Sequence, residues 1–519
     1  MPGRHQVPTL INLSLNTVGI LVITIGKNAM EPITKFYKKN AELGKIELRK
    51  VINQIKFLLL STVPCHLYDE MVLITLTSIM KLLKDVKEKQ RYNTLELNII
   101  IGLIETVITA NLKSIEFSMW PKIMRNTLYN KLYEMSGLEV LDLGSGSVGW
   151  KTSDVEKIIV AGVSSMINLV CFILCFDCTD NIITALAENC RRLQKLDVTA
   201  SRSVTDRSVS TLLKCKYLKE IKLFRTSMTV AGYAELFLQH NCLEDIGRCD
   251  QFGYALEHLV GTGHPVTETN LSIKIFESRS FTLNHIQLLI YMCQDITSLA
   301  ILRDEETNDL QLLAFVANLR ELKLLSCKFY THEIKTVLRL RGREIVSLHL
   351  EHVDEIDIDA LIYISQFCPN IKSLIFYNCE FLEHVTLFAR QVHSVPPFQY
   401  LERIKCVADC ASMHLEFLLS SCKNIKFIQL GSSTGMGDAT MRLILSHNPM
   451  QKLEELKVLY SHDLSMGTVQ LLMQNCHNLR RLSELESWEG ITPSELRVFR
   501  EHLKINNINL DTSATLSFA

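Results

Sequence analysis

An excess of charge of either sign is missing from this chain. Across 519 residues, 55 Lys and Arg stand against 56 Asp and Glu, a formal net charge of −1. That balance argues against a strongly basic nucleic-acid binder. With 47% hydrophobic residues it also excludes disorder as the dominant state. Gly and Pro occupy only 21 and 11 positions, which excludes collagen-like and proline-rich chains. Long apolar runs are scarce as well. The stretch 10–25 is broken by Asn12, Ser14, Asn16, Thr17 and Thr24, whereas a membrane span needs about 20 mostly apolar residues. Leu10, Leu13, Val18, Leu21 and Ile25 recur at helical spacing, so an amphipathic helix is expected there, with no membrane partner. No clear small-x-small cleavage site follows, so no secretory leader is expected. P-loop, H-E-x-x-H and kinase signatures are absent too.

What is present is a repeat. From Leu112 onward the pattern L-x-x-L-x-L begins at Leu112, Leu138, Leu169, Leu193, Leu218, Leu243, Leu271, Ile296, Leu319, Ile345, Ile371, Leu401, Ile425, Leu453 and Leu479, a mean spacing of about 26 residues. Alternation within the pattern puts its apolar residues on one face of a short strand. Helical stretches follow, for example at 179–190, 205–215, 357–368 and 468–476. One such unit cannot bury its apolar face alone; stacked neighbours can, which predicts an α/β solenoid. The predicted division is a helical region over 1–110, a solenoid of about 15 units over 111–505, and a tail over 506–519. Breaks are expected at 261–265 and 394–397, and the units at Leu243 and Leu271 depart from the pattern.

The 16 cysteines follow this period. Cys190, Cys215, Cys293, Cys368, Cys422 and Cys476 each precede a unit's first apolar position by three residues. Cys178, Cys327 and Cys379 recur after the strand. Buried free thiols used as small hydrophobes point to a cytoplasmic or nuclear location. Together with the run Cys368-Pro-Asn-Ile-Lys-Ser-Leu, these positions resemble the cysteine-containing subfamily of leucine-rich repeats, best known from F-box substrate receptors of ubiquitin ligases. The resemblance implies a ribonuclease-inhibitor-like horseshoe, a protein-binding role and no catalytic residue or cofactor.

The first 110 residues carry 14 Lys and Arg against 9 Asp and Glu, a net of +5 that leaves −6 for the rest. Helices are expected at 46–60, 67–90 and 95–110. Thr9-Leu10-x3-Ser14-x3-Val18 resembles the BC-box by which some ligase receptors hold elongin C. Leu10 would then be the buried anchor, with Ser14 and Val18 following it on one face. Pro32 resembles the start of a cullin-selecting box, but Glu31 stands where that box has an apolar residue. Box and solenoid together are similar to the Zyg-eleven and Zer receptors. Val63-Pro64-x2-Leu67 resembles the opening of an F-box, the motif that holds a Skp-type adaptor, but the later Trp of that motif is missing. The alternative for the helix at 10–25 is a cap on the first repeat.

In a leucine-rich repeat the residues two, four and six after each first apolar position line the concave strand face. Aromatics beside Arg and Lys are typical anchors, which singles out Phe224, Tyr377, Arg403, Lys405 and Phe427 for partner binding. Two chemical motifs compete. Gly144, Gly146 and Gly149 form a G-x-G-x-x-G similar to that of S-adenosylmethionine-dependent methyltransferases. Its strand is nevertheless in repeat register, and no acidic strand end follows at the expected distance. Cys171, Cys175 and Cys178 invite a zinc reading, but no fourth ligand stands at finger spacing. The sequence thus predicts a non-enzymatic substrate receptor of a cullin–RING ligase. A scaffold or signalling solenoid without that link is the alternative, and a methyltransferase is the remote one.

Overall fold

The computed structural model describes residues 2–4, 6, 9–88, 94–145, 152–302, 310–383 and 398–515. The chain forms two compact units, one over 7–249 and the other over 250–519 together with 1–6.

The first unit opens with α1 (Leu10–Lys39), α2 (Ala41–Thr62), α3 (Tyr68–Glu88) and α4 (Thr94–Gly102). Thr9 caps α1, its hydroxyl accepting the Asn12 N–H at 3.2 Å; such a cap is worth about 1 kcal/mol. The helix runs well past the predicted Ile25, through Pro32 to Lys39. Leu15, Gly19, Val22, Gly26 and Ile33 form its buried stripe, and it packs on α2 and α3. Gly26 is there because nothing larger fits: a Cβ would lie 2.5 Å from Leu103 Cδ1.

Six strands follow: β1 (Ser114–Glu116), β2 (Val140–Ser145), β3 (Cys171–Cys175), β4 (Lys195–Asp197), β5 (Glu220–Lys222) and β6 (Asp245–Arg248). They pair in parallel, in chain order. Ile115, Leu141, Phe172, Leu196 and Ile221 fall in one register row and are buried.

The second unit repeats the arrangement with β7 (Ile275–Ser278), β8 (Ser298–Leu302), β9 (Glu321–Lys328), β10 (Ser347–Asp354), β11 (Ser373–Glu380), β12 (Arg403–Asp409), β13 (Phe427–Leu430) and β14 (Glu455–Val458). Next come β15 (Ser461–Ser465), β16 (Arg481–Ser483) and β17 (Trp488–Gly490). Strands β7 to β14 form a parallel ladder that β16 continues, while β15 pairs with β17. The chain is a leucine-rich-repeat solenoid: the rows of its ladders bury the apolar residues of the repeat pattern.

Every predicted frame keeps its register except the one at Leu271. Phe276 pairs with Leu299, so that unit starts at Ile273. Leu271 and Ile273 are both buried, as is Phe276, so the apolar pattern alone offered two frames. The expected break at 394–397 lies outside the described residues.

The recurrent cysteines end helices. Cys190, Cys293, Cys368, Cys422 and Cys476 are C-caps, and all are buried. Two residues on, Asn370, Asn424 and Asn478 donate to the carbonyls of Arg343, Gln399 and Gln451 in the preceding unit, at 2.8, 2.5 and 2.9 Å. A second stitch joins helix starts. Asp438 accepts the Ser465 N–H at 2.9 Å and the Thr468 hydroxyl at 2.6 Å. Asp206 likewise accepts the Thr229 N–H at 2.7 Å and its hydroxyl at 2.6 Å.

Candidate protein-interaction surfaces

Because side chains alternate along a strand, the residues between the buried Leu and Ile project from the open face of each ladder. In the second unit, one row runs Glu321, Ser347, Ser373, Arg403, Phe427 and Glu455. The next row runs Lys323, His349, Ile375, Lys405, Gln429 and Lys457. Tyr377 lies two residues beyond Ile375, opposite Val407.

At β9 and β10 this face is neutralised. Glu351 receives Lys323 Nζ at 2.9 Å and Arg279 Nη2 at 3.2 Å. Burial works against its charge, but those two cations hold its carboxyl below the usual range. His349 sits between them and β12. Burial first, then the Lys323 and Lys405 ammonium groups, lower it to about 4 against the pull of Glu351. At neutral pH this imidazole is uncharged.

Four of the five anchors read from the sequence come together at β11–β13. The Arg403 guanidinium carbon lies 4.9 Å from the Phe427 ring centre, and Lys405 Nζ lies 6.0 Å from that of Tyr377. Arg403 is exposed, Lys405 and Phe427 are half-buried, and Tyr377 is 38% exposed.

Phe224 stands on the ladder of the first unit. The guanidinium of Arg248 lies 4.1 Å from its ring centre and that of Arg225 5.1 Å. In that unit Glu220 joins Lys195 at 2.9 Å and Lys222 at 2.8 Å. Asp142 is raised, chiefly by burial and also by Glu116 and Asp197, while the Gly144 N–H opposes.

α1 offers a different surface. Leu10 is 80% exposed, Ser14 is exposed and Val18 half-buried. Positions four apart drift about 40° around a helix, so the row Leu10, Ser14, Val18 winds toward the buried stripe that Val22 joins. Leu13, Ile20 and Leu21 are exposed as well, an apolar face the three-residue box did not reveal. α1 also has the length and apolar composition of a membrane-crossing helix, with 22% of its most apolar window buried. At the F-box-like opening, Pro64 is exposed and Leu67 half-buried, and Met71 is buried.

Gly144, at φ +71°, packs where a Cβ would meet Ser118 Cβ at 2.9 Å, so its lack of a side chain already serves strand packing. Gly146 and Gly149 lie outside the described residues. Cys171 and Cys175 are half-buried on the strand face, and Cys178 is buried in the turn. Burial pushes the Cys175 thiol up to about 11. Among the described residues no three His, Cys, Asp or Glu side chains group as metal ligands would.

No family model matches the chain. The F-box protein SKIP1 of Arabidopsis thaliana is 31% identical over 94 residues, 17% of this chain. The chain spans about a third of that relative's length, 31%. Among solved structures, the Rad7 and Elc1 complex in yeast is 14% identical, over 71% of this chain and 89% of that one, with a TM-score of 0.45. A leucine-rich-repeat protein of Leptospira interrogans is 13% identical over 78% and 95%, with a TM-score of 0.32.

Proposed function

We propose that this protein is a recognition subunit of a cullin–RING ubiquitin ligase, holding a protein substrate on the open strand face and an elongin-type adaptor on α1. The observation that carries the reading is the exposure of Leu10 in the first turn of α1, with Ser14 exposed after it on the same side. An apolar side chain so placed is what a helix-in-groove contact buries. The chain would act by proximity, presenting a bound protein to a ubiquitin-charged enzyme and supplying no reacting group itself.

Burying one Leu is worth about 2 kcal/mol, and a carboxylate in its place adds a desolvation cost. Leu10→Asp should therefore abolish co-purification with an elongin B–C pair while leaving the unfolding midpoint unchanged. Retained capture would sink the elongin contact. Flotation of the wild-type chain with lipid vesicles, with no adaptor bound, would assign the α1 face to a membrane instead.

A Skp-type adaptor is the second reading, favoured by the short match to an F-box protein. It requires Skp capture that survives Leu10→Asp and is lost on altering Pro64 and Leu67. A scaffold without a ligase link remains if neither adaptor is held. The methyltransferase reading would need S-adenosylmethionine binding, measurable by calorimetry.

A further inference from the structure

Among the described residues, several cations on or beside the strand faces are answered by carboxylates of the same ladder or its end: Lys323 and Arg279 by Glu351, Lys195 and Lys222 by Glu220, Lys457 by Glu484, and Arg481 by Asp511. Arg403 and Lys405 differ. Their partners among the described residues are the rings of Phe427 and Tyr377. They stand two residues apart on β12 and project from the same face. Toward β10, the row of Arg403 continues with Ser373 and Ser347. Those side chains are too short to cover the guanidinium, and Ile375 lies beside Lys405 as an apolar floor.

We infer that β11–β13 binds an extended acidic segment of the protein partner, with two carboxylates two residues apart meeting Arg403 and Lys405. The inference rests on the reading of the strand face as the partner surface. Side chains i and i+2 of an extended chain lie on one side about 6.6 Å apart, the same repeat that separates Arg403 from Lys405. Arg403 offers a planar fork that accepts a carboxylate through two hydrogen bonds. The ring of Phe427 braces Arg403 beforehand and that of Tyr377 lies at the limit of contact with Lys405, which lowers the ordering cost of binding. They also present apolar surface to residues flanking the carboxylates. A nucleic acid fits less well. Phosphate backbones are tracked by several contiguous cations, whereas Glu321 and Glu455 stand in the same row as Arg403.

The test is fluorescence anisotropy of the full chain with a labelled peptide carrying Glu-x-Glu beside a Tyr. A Gln-x-Gln peptide and a single-stranded oligonucleotide serve as comparisons. Binding of the acidic peptide should weaken with salt and fall at least about tenfold for the Gln peptide and for Arg403→Glu with Lys405→Glu. Tyr377→Ala with Phe427→Ala should weaken it severalfold. Arg403→Gln with Lys405→Gln guards against a folding defect in the charge reversal and should show the same loss. Absence of binding, equal binding of the Gln peptide, indifference to both charge variants, or tighter oligonucleotide binding would overturn the inference. Elongin capture on the same preparations separates the two proposals. Adaptor held with no acidic peptide defeats this inference alone; peptide held with no adaptor defeats the ligase reading alone.

Discussion

His349 illustrates how neighbours on a repeat set a residue's chemistry. Its ring is half-buried beside Lys323 and Lys405, and its pKa falls to about 4 from 6.5. A histidine depressed in the folded state contributes stability above its unfolded pKa and loses it as pH falls through the folded one. The window is thus about pH 6.5 down to 4. Between pH 7 and 5 the wild-type chain should lose on the order of 1–2 kcal/mol from this group alone. His349→Gln should flatten that part of the profile, as read by urea denaturation at the two pH values. An unchanged slope would show that the ring ionises freely. The cysteines make the same point. Their spacing was legible in the sequence, and their chemistry is packing: burial pushes Cys190, Cys215 and Cys368 up to about 12, 11 and 12, so these thiols stay protonated and apolar. Leu10 was legible only by resemblance, and nothing in the sequence distinguishes an exposed Leu from a buried one at the same helical spacing.

A strand or helix in this chain is short, and its stability comes from the unit before and after it. The helix-start aspartates are the clearest case. Burial opposes the charge of Asp438, but the hydroxyls of Ser465 and Thr468 and the Ser465 N–H hold its carboxyl below the usual range. Asp438→Ala removes these bonds across the unit boundary and should cost about 2–3 kcal/mol. In a repeat array the loss is felt first by the adjoining units. Hydrogen exchange should therefore quicken over 438–475 well before it does in the units of the first ladder; uniform quickening would contradict this. The bonds of Asp438 also depend on its ionisation, so their contribution is present above the normal carboxylate pKa and disappears as pH falls through the depressed one. For α1 the element-scale determinant is close approach. Gly26→Val would drive a side chain into Leu103, and should unseat the helix and lower the unfolding midpoint of the first unit.

At the scale of the whole molecule, a ladder must end without leaving an open edge. The last strand of the second unit, β16, is covered by the segment around Asp511. The Leu482 N–H donates to the Asp511 carbonyl at 2.9 Å, and the Asp511 N–H to the Arg480 carbonyl at 2.8 Å. Arg481 Nε meets the Asp511 carboxylate at 3.1 Å. In the stretch after Ile505, Asp511 thus forms a parallel bridge to Arg481 of β16. Truncation after Ile505 should expose β16 and produce concentration-dependent association, measurable by light scattering; a monodisperse truncated chain would refute that role. The sequence by itself determined the repeat, its frame at every unit but Leu271, the alternation that separates buried Leu from projecting Arg and Lys, and the recurrent cysteines. These follow from local periodicity, because a parallel ladder aligns equivalent positions of successive units. Tertiary structure alone decided that the Leu271 unit starts at Ile273, that α1 turns Leu13, Ile20 and Leu21 outward with Leu10, and that, among the described residues, Arg403 and Lys405 face rings rather than carboxylates. Those outcomes depend on which side chains of different units arrive beside one another, and no spacing along a single chain encodes that.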